Sequence, residues 1–291
     1  MTNDKNVNAF TTFEKNRWEV SADPYHQLLG ALTCQTVDIL LEAVKQKQNA
    51  TSLLDIATGP GYLAKCAGKY GYNEVVGIDF SEAMINIANA DLNSTKSYST
   101  SFTLPKTINF KVGDAEQLEA ADNSFDSVTM NFGLLHLAHP KRALSEAYRV
   151  LKPGGKFGYT VWAKPERNIG FAILLGAIEA FIDKTISIPD GPPIFYFSEV
   201  DNSSSALQDA GFIDVSIREV PLQWVVKSGD EFFNAFLEGG ARIGGLLKLQ
   251  STDTLNSIRN KIIIDSELYK KGARLHIPMS AVLAIGAKSS M

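Results

Sequence analysis

The sequence has 291 residues, of which 45% are apolar and 21% are charged, and its formal net charge is −4. This composition is typical of an ordinary globular protein that can bury a full core. Nucleic acid is not expected as the main partner, because phosphate binding needs a basic face and the chain has no block of like charges. The two cysteines, Cys34 and Cys66, fall in helical patterns and are predicted to be reduced core residues.

Two segments bear on location. The first ten residues are polar and lack the apolar run of a signal peptide. The most apolar stretch, 171–182, contains Glu179 and is too short to cross a bilayer. We therefore expect no membrane span and a cytoplasmic location. The spacing of histidines, cysteines and acids matches no zinc motif, and no P-loop occurs, so no metal is predicted.

In chain order, residues 1–15 are predicted to be a loose arm. Residues 27–45 are predicted to be helical, because leucine and valine recur there at helical spacing. Two aromatic residues, Trp18 and Tyr25, stand just before this helix.

The stretch 52–64 predicts a strand, a tight turn and a helix. Leu53, Leu54 and Ile56 form a short apolar run, and Gly59 and Gly61 follow in the turn. Neither glycine has a Cβ atom, so a ligand can lie directly on the backbone. The spacing Gly59-x-Gly61-x-x-Ala64 also satisfies the loose dinucleotide fingerprint, which alone is a weak signal.

Asp55 changes this interpretation. It lies within the strand, where a charge is costly unless it has a partner. Its carboxylate can accept from a ligand ammonium or from the N–H groups of the turn. The pyrophosphate of a dinucleotide is already negative. A dinucleotide-binding site therefore has little use for an acid at this position.

The next strands are also predicted to end in polar residues. Residues 74–79 end in Asp79, close to the spacing at which an acid binds ribose hydroxyls. Ser81 is predicted to cap the following helix, which carries Met84 on its apolar face. A loop is predicted over 93–103, and the third strand, 108–112, is followed by Asp114 and Ala115. The fourth strand, 125–130, is followed by Asn131, Phe132 and, further on, His136.

The second half of the chain repeats the pattern. A helix over 142–151 is predicted to stop at Lys152-Pro153-Gly154-Gly155, and a fifth strand follows over 156–162. Residues 207–215 (L-Q-D-A-G-F-I-D-V) predict a helix end that enters a sixth strand, and 277–287 a last strand. Between these elements, residues 163–197 and 229–270 insert apolar helical segments. Each insertion carries a cluster of aromatic rings, which includes Tyr196 in the first and Phe236 in the second.

With Asp55 before Gly59-x-Gly61, the chain resembles the class I S-adenosylmethionine (SAM) methyltransferases. Their first motif is an acid shortly before Gly-x-Gly. The run E-A-Y-R-V-L-K-P-G-G over 146–155 is similar to the family's signature after the fourth strand. The nearest group is the ubiquinone/menaquinone-methyltransferase-like enzymes that act on small molecules, and the resemblance spans roughly 15–288. It implies an α/β fold with a Rossmann-like sheet of seven mainly parallel strands and helices on both faces. It also implies one domain, 1–291, whose helical insertions form a lid over the site.

The resemblance implies roles for individual residues. Asp79 would accept from the ribose, Asp114 and Ala115 would meet the adenine, and Phe80 or Met84 would flank it. The cofactor-binding residues are expected to be Tyr25, Asp55, Ala57, Gly59, Gly61, Asp79, Phe80, Met84, Asp114, Ala115, Asn131 and Phe132. The acceptor pocket is expected to include Trp18, Tyr196 and Phe236. His136 is either the group that takes a proton from the acceptor or a helix-cap or core histidine.

The function that these patterns favour is SAM-dependent methyl transfer to a small, largely apolar or aromatic metabolite. Two alternatives stay open at this point. One is a SAM-fold protein that binds the cofactor without methylating, since fold does not fix function. The other is a nicotinamide-dependent oxidoreductase, which fits Gly59, Gly61 and Asp79 but leaves Asp55 and Asp114 unexplained. The acceptor's identity and the oligomeric state are not readable from the sequence.

Overall fold

The structure is a computed structural model that describes residues 2–46, 51–93 and 103–290. The helices are α1 (Thr2–Leu28), α2 (Gly30–Thr33), α3 (Val37–Val44), α4 (Tyr62–Cys66), α5 (Glu82–Asn93), α6 (Pro140–Val150), α7 (Ile169–Phe181), α8 (Val200–Asp209), α9 (Gly229–Gly239), α10 (Arg242–Leu247) and α11 (Thr252–Ser266). The strands are β1 (Ser52–Ile56), β2 (Glu74–Asp79), β3 (Thr107–Val112), β4 (Phe125–Asn131), β5 (Leu151–Trp162), β6 (Ile213–Val226), β7 (Lys270–Lys271) and β8 (Arg274–Ala287). The loop predicted over 93–103 lies almost wholly outside the described residues.

One mixed sheet organises the chain. Its strand order is β3-β2-β1-β4-β5-β8-β6, and the two-residue β7 pairs only with β8. Strands β1 to β5 are parallel to one another. β8 runs the other way, because the N–H of Ala163 donates to the carbonyl of Ser280 and that of Gly154 donates to the carbonyl of Lys288. The predicted α/β fold is confirmed, with seven strands along the main path and an antiparallel last strand.

The described chain divides into two compact units. The helical unit comprises Met1–Leu32, Trp162–Gly191 and Val220–Ala281. The sheet unit comprises Thr33–Val161, Pro192–Glu219 and Val282–Met291. The helices of the two insertions belong to the helical unit together with α1, and they are α7, α9, α10 and α11.

The loose arm predicted for residues 1–15 is wrong, because α1 begins at Thr2. Its inward side buries Phe10 and Glu14 completely, and it packs against α9 and α10. Glycines allow this close approach: a Cβ at Gly245 would lie 2.5 Å from the Phe13 ring, and one at Gly239 would lie 3.2 Å from the Tyr25 nitrogen. Gly239 of α9 and Gly245 of α10 therefore serve close helix packing in this unit.

Local signals set several element ends. The hydroxyl of Ser81 accepts from the Met84 N–H at 3.2 Å and caps α5, as predicted. Asn168 and Ser228 accept in the same way at the starts of α7 and α9. α6 stops at Val150, close to its predicted end, but β5 already begins at Leu151. The predicted Lys152–Gly155 turn is instead an irregular start of β5, with a register shift against β4 and a left-handed Gly154.

Among the described helices, none alone is both long enough and apolar enough to cross a bilayer. Residues 7–28 and 30–44, bent by 72° at their junction, meet the length and composition criteria only as a pair.

Candidate functional site

The carboxyl ends of four neighbouring strands are linked in the sheet unit. The Thr58 N–H donates to the Ile78 carbonyl at 2.8 Å, and the Gly113 N–H donates to the Asp79 carbonyl at 2.9 Å. A Cβ added to Gly133 would lie 2.5 Å from the Ala57 Cβ. The ends of β3, β2, β1 and β4 therefore form one continuous edge. In open α/β sheets this edge is where ligands bind.

Asp79 is the acid at the centre of that edge. Its Oδ2 accepts from the Gly59 N–H at 2.9 Å, and its Oδ1 accepts from the Ser81 N–H at 3.0 Å. The carboxylate thus ties the glycine turn to the start of α5. Each carboxylate oxygen can accept more than one hydrogen bond.

Asp55 is fully buried behind the turn. Its Oδ2 accepts from the Thr58 hydroxyl at 2.6 Å, and its Oδ1 accepts from the Thr129 hydroxyl at 2.9 Å. Burial raises the pKa of Asp55 to about 7, against the opposing effect of these hydrogen bonds and of the Ala64 N–H. The sequence left two partners open for Asp55, a ligand ammonium and the turn. The structure shows a hydrogen bond from the turn. Direct contact between Asp55 and a cofactor stays a prediction.

Left-handed backbone is concentrated at this edge. Ala57 and Phe132, at the ends of β1 and β4, have φ of 52° and 55°, and Gly59 and Gly61 have φ of 53° and 77°. Such conformations cost non-glycine residues about 1–3 kcal/mol and cluster where a ligand is clamped. A Cβ at Gly61 would lie 2.5 Å from Phe110, whereas one at Gly59 would meet only the Met84 sulfur at 4.0 Å. Gly61 thus serves packing, while the space beside Gly59 is open.

Asn131 ends β4 with its side chain held by three threonines. Its Oδ1 accepts from the hydroxyls of Thr36 and Thr160, and its Nδ2 donates to the Thr33 carbonyl. The Thr160 hydroxyl also accepts from the Phe132 N–H at 3.1 Å. This network fixes the left-handed turn at Phe132. Because the side-chain amide of Asn131 already makes these hydrogen bonds, its predicted contact with the cofactor would use other atoms of the residue.

The residues predicted to flank a nucleobase lie around the same edge. Met84 is buried in α5 beside Gly59, and Phe80 is half-buried directly after Asp79. Asp114 is exposed beyond β3, and its Oδ1 accepts from the Glu116 N–H at 2.8 Å, while Ala115 is buried. The structure thus brings the predicted residues of the sheet unit to one place, in chain order along four strands.

His136 closes a short 3-10 turn after β4. The turn spans Leu134–His136, and the His136 N–H donates to the Gly133 carbonyl at 3.0 Å. The residue is half-buried, whereas Leu134 and Leu135 are buried. It follows Gly133, which lies against Ala57, by three residues. Its part in proton transfer stays a prediction.

The remaining predicted residues have different surroundings. Trp18 and Tyr25 contact each other edge to face in the helical unit, with ring centroids 5.4 Å apart. Phe236 is buried in the same unit among Phe171, Trp224 and Phe232. Tyr196 belongs to the sheet unit, is 39% exposed and contacts Phe197 at 5.0 Å. Their predicted contacts with cofactor or acceptor remain untested predictions.

Comparison with known proteins decides the family. Residues 54–158 match the family model described as a methyltransferase domain. The demethylmenaquinone methyltransferase of Renibacterium salmoninarum is 32% identical over 177 residues, which cover 58% of this chain and 69% of that protein. The chain belongs to the class I SAM-dependent methyltransferases. SAM is therefore its cofactor, small-molecule methylation is the activity supported, and neither the oxidoreductase nor the non-methylating alternative is favoured.

Two further relatives frame this assignment. The ubiquinone/menaquinone biosynthesis C-methyltransferase of Rickettsia prowazekii is 37% identical over 129 residues, which cover 44% of this chain and 51% of that protein. The phosphoethanolamine N-methyltransferase 2 of Haemonchus contortus, solved with phosphomonomethylethanolamine and S-adenosylhomocysteine, shares the fold at a TM-score of 0.56 and 19% identity. That alignment covers 96% of this chain and 60% of the other. The chain thus spans about half the length of the Rickettsia relative.

The present residues fit a SAM molecule. The open space beside Gly59 admits a ligand against bare backbone, and Asp79 offers acceptor oxygens next to it. Three threonines support this arrangement and were not predicted from the sequence, namely Thr58, Thr129 and Thr160. Thr58 had a local signal, a hydroxyl one turn after Asp55. Thr129 and Thr160 had none, since only strand pairing brings them to Asp55 and Asn131.

Proposed function

We propose that this methyltransferase transfers the methyl group of SAM to a ring carbon of a small, largely apolar aromatic acceptor of the quinol type. The relatives named for demethylmenaquinone and for ubiquinone and menaquinone support the acceptor class. The observation that carries the donor side is the bond from Gly59 to Asp79, which joins an open glycine turn to an acid at the neighbouring strand end.

SAM, when bound, supplies a methyl group already activated on a sulfonium. The chain's residues then need only to position the two reactants and exclude water. Asp79 would accept from the ribose hydroxyls, and Met84 with Phe80 would flank the purine. Asp114 would accept from the exocyclic amine of the adenine. The strained turns at Ala57 and Phe132 would hold the backbone against the donor.

The donor site is tested through Asp79. We expect Asp79→Asn to weaken SAM binding by about 1.5–3 kcal/mol, the scale of a lost hydrogen bond to a charged group. Asparagine is chosen because it retains an acceptor for Gly59 or Ser81. Asp38→Asn is the matched control, since Asp38 is an exposed acid of the same unit that pairs with Lys69. Calorimetry that shows equal SAM affinity in both folded variants would refute the assignment of Asp79.

The acceptor is tested with labelled SAM and a panel of compounds. The panel contains a short-chain demethylnaphthoquinol, a catechol and a primary amine. We expect label on a ring carbon of the quinol, identified by mass spectrometry of the product. Label found only on the amine nitrogen or a catechol oxygen would contradict the proposed acceptor class while leaving the donor site intact.

Acceptor contact is tested at Tyr196. This ring is partly exposed, so Tyr196→Ala is expected to keep the fold while raising the acceptor KM and leaving the SAM Kd unchanged. Phe236→Ala is less suited to this purpose, because its ring packs against Phe171 and Trp224 in the helical unit. Unchanged acceptor kinetics in Tyr196→Ala would remove this residue from the pocket.

We further propose that the insertions 163–197 and 229–270 act as a lid. An apolar acceptor and a reactive methyl group both call for exclusion of water, and lids commonly provide it. Hydrogen exchange over 229–250 should slow when S-adenosylhomocysteine and acceptor are both bound. Equal exchange in the free and the doubly liganded protein would mean that the insertions are scaffold.

A further inference from the structure

The end of α11 and the turn that follows it carry two exposed apolar side chains. The side chain of Leu268 is 86% exposed and that of Ile264 is 70% exposed. Ile264 lies in the last turn of α11, and Leu268 lies four residues later in the 3-10 turn that follows. We define the α11 patch as these two residues together with Lys270, Lys271 and Arg274. All five lie in the helical unit.

The α11 patch continues from the end of the helix into a short hairpin. A 3-10 turn spans Glu267–Tyr269, directly after α11, and β7 then pairs with β8 in a short hairpin. The hairpin turns at Gly272, which has a left-handed φ of 62° and open space around it. Few atoms of the described residues cover the Leu268 side chain, since it is 86% exposed. An apolar side chain with so little cover can enter a soft surface without a matching pocket.

The charges of the patch are positive. Lys261 pairs with Asp265 at 2.9 Å, and Lys270 pairs with Glu267 at 3.0 Å, so these four charges cancel. Lys271 and Arg274 are exposed and make no ion pair with any residue that the structure describes. They are paired in register across the hairpin, which places both cations beside each other. The chain as a whole has a net charge of −4, so the positive α11 patch is a local departure.

From exposed apolar side chains beside unpaired cations, we infer that the α11 patch docks on an anionic lipid surface. Leucine and isoleucine would enter the boundary between head groups and acyl chains, and Lys271 and Arg274 would attract anionic head groups. A two-fold contact between copies of the chain is disfavoured, because it would bring the same cations together. Docking would bring the enzyme to an apolar acceptor dissolved in lipid. This purpose, though not the docking itself, rests on the proposed function.

The experiment is co-sedimentation of the full chain with vesicles, without donor or acceptor. Binding is expected with vesicles that contain phosphatidylglycerol, and much less with pure phosphatidylcholine. Leu268→Ser should lower the partition coefficient roughly tenfold to hundredfold, the scale of one buried leucine side chain. Lys271→Glu should weaken binding to anionic vesicles only, and added salt should weaken it in the parent protein.

Val200→Ser is the matched control, since Val200 is 55% exposed on α8 in the other unit. Equal partitioning of Leu268→Ser and Val200→Ser, or no binding by the parent protein, would overturn the inference. The inference would also be overturned if ultracentrifugation showed a dimer that Leu268→Ser abolishes. The same holds if binding of a partner protein, but not of vesicles, depended on Leu268. Methyl transfer to a short-chain acceptor in solution should be the same for the parent protein and for Lys271→Glu, because Lys271 lies outside the proposed lid. Absence of that activity from both the variant and the parent protein would instead count against the proposed function.

Discussion

The buried acid Asp55 predicts an unusual dependence of stability on pH. Burial raises its pKa from 3.8 to about 7 in the folded protein. Below 3.8 both the folded and the unfolded state carry the proton, so Asp55 adds no penalty. As the pH rises towards 7 the unfolded state loses the proton and the folded state keeps it. The free energy of unfolding therefore falls across this window and stays lowered above it.

The size of the effect follows from the pKa difference. A shift of roughly three units at about 1.4 kcal/mol each corresponds to about 4 kcal/mol between pH 4 and pH 8. Asp55→Asn replaces the acid by a neutral amide that can still bond Thr58 and Thr129. We expect this variant to lack the decline, at a constant cost of about 1 kcal/mol for the imperfect hydrogen bonds.

The assay is urea denaturation of the parent protein and the variant at pH values from 4 to 8. Asp126→Asn is the control. Burial would raise the pKa of Asp126, but the bonds from Lys152 and Ser52 outweigh it and lower that pKa to about 2. Its stabilisation is lost only as the pH falls from 3.8 towards 2, so its curve should run parallel to that of the parent protein in the tested range. A parallel curve for Asp55→Asn as well would refute the reasoning.

Three further predictions concern the two units. Gly61→Ala should destabilise the fold more than Gly59→Ala, because its Cβ meets Phe110 at 2.5 Å while that of Gly59 adds only backbone strain of about 1–2 kcal/mol; melting curves that rank them in the opposite order would contradict the packing analysis. His136→Gln should lower turnover roughly 10²–10⁴-fold at unchanged SAM affinity if this residue takes the acceptor's proton, and normal turnover would exclude that role. Phe236→Ala should lower the free energy of unfolding by about 3–5 kcal/mol, as expected for a buried ring, and a loss below 1 kcal/mol in denaturation would show that the ring is not part of the core.

The ligand-binding edge was predictable because its signals are local. Each of β1 to β4 is a short run of strand-forming residues that ends in a recognisable turn, and the glycine turn follows β1 directly. Topology then brings the ends together without further information. The acids Asp55 and Asp79 could be singled out for the same reason, since a charge at the end of a buried strand needs a partner.

The N-terminal helix was not predictable in this way. Its inward side contains Glu14 and Ser21, both fully buried, which interrupt the apolar period that marks an amphipathic helix. Glu14 is accommodated by Arg242, whose Nε lies 3.5 Å from its carboxylate and whose guanidinium lies 4.8 Å from the Phe10 ring. A partner so distant in sequence leaves no trace in local spacing. The helix α10 was missed for a related reason, because its two glycines resemble a loop.

The pairing of Glu14 with Arg242 has a consequence for how the protein is made. α1 leaves the ribosome well before the helices α9 and α10 that cover it, because they follow it at a long distance in the chain. Contacts between distant parts of a chain form slowly, since a long loop must close before they stabilise anything. During synthesis α1 must therefore wait with Phe10 and its buried acid exposed to water. The glycine turn and the first four strands can be complete by then, so the donor site can assemble before the helical unit does.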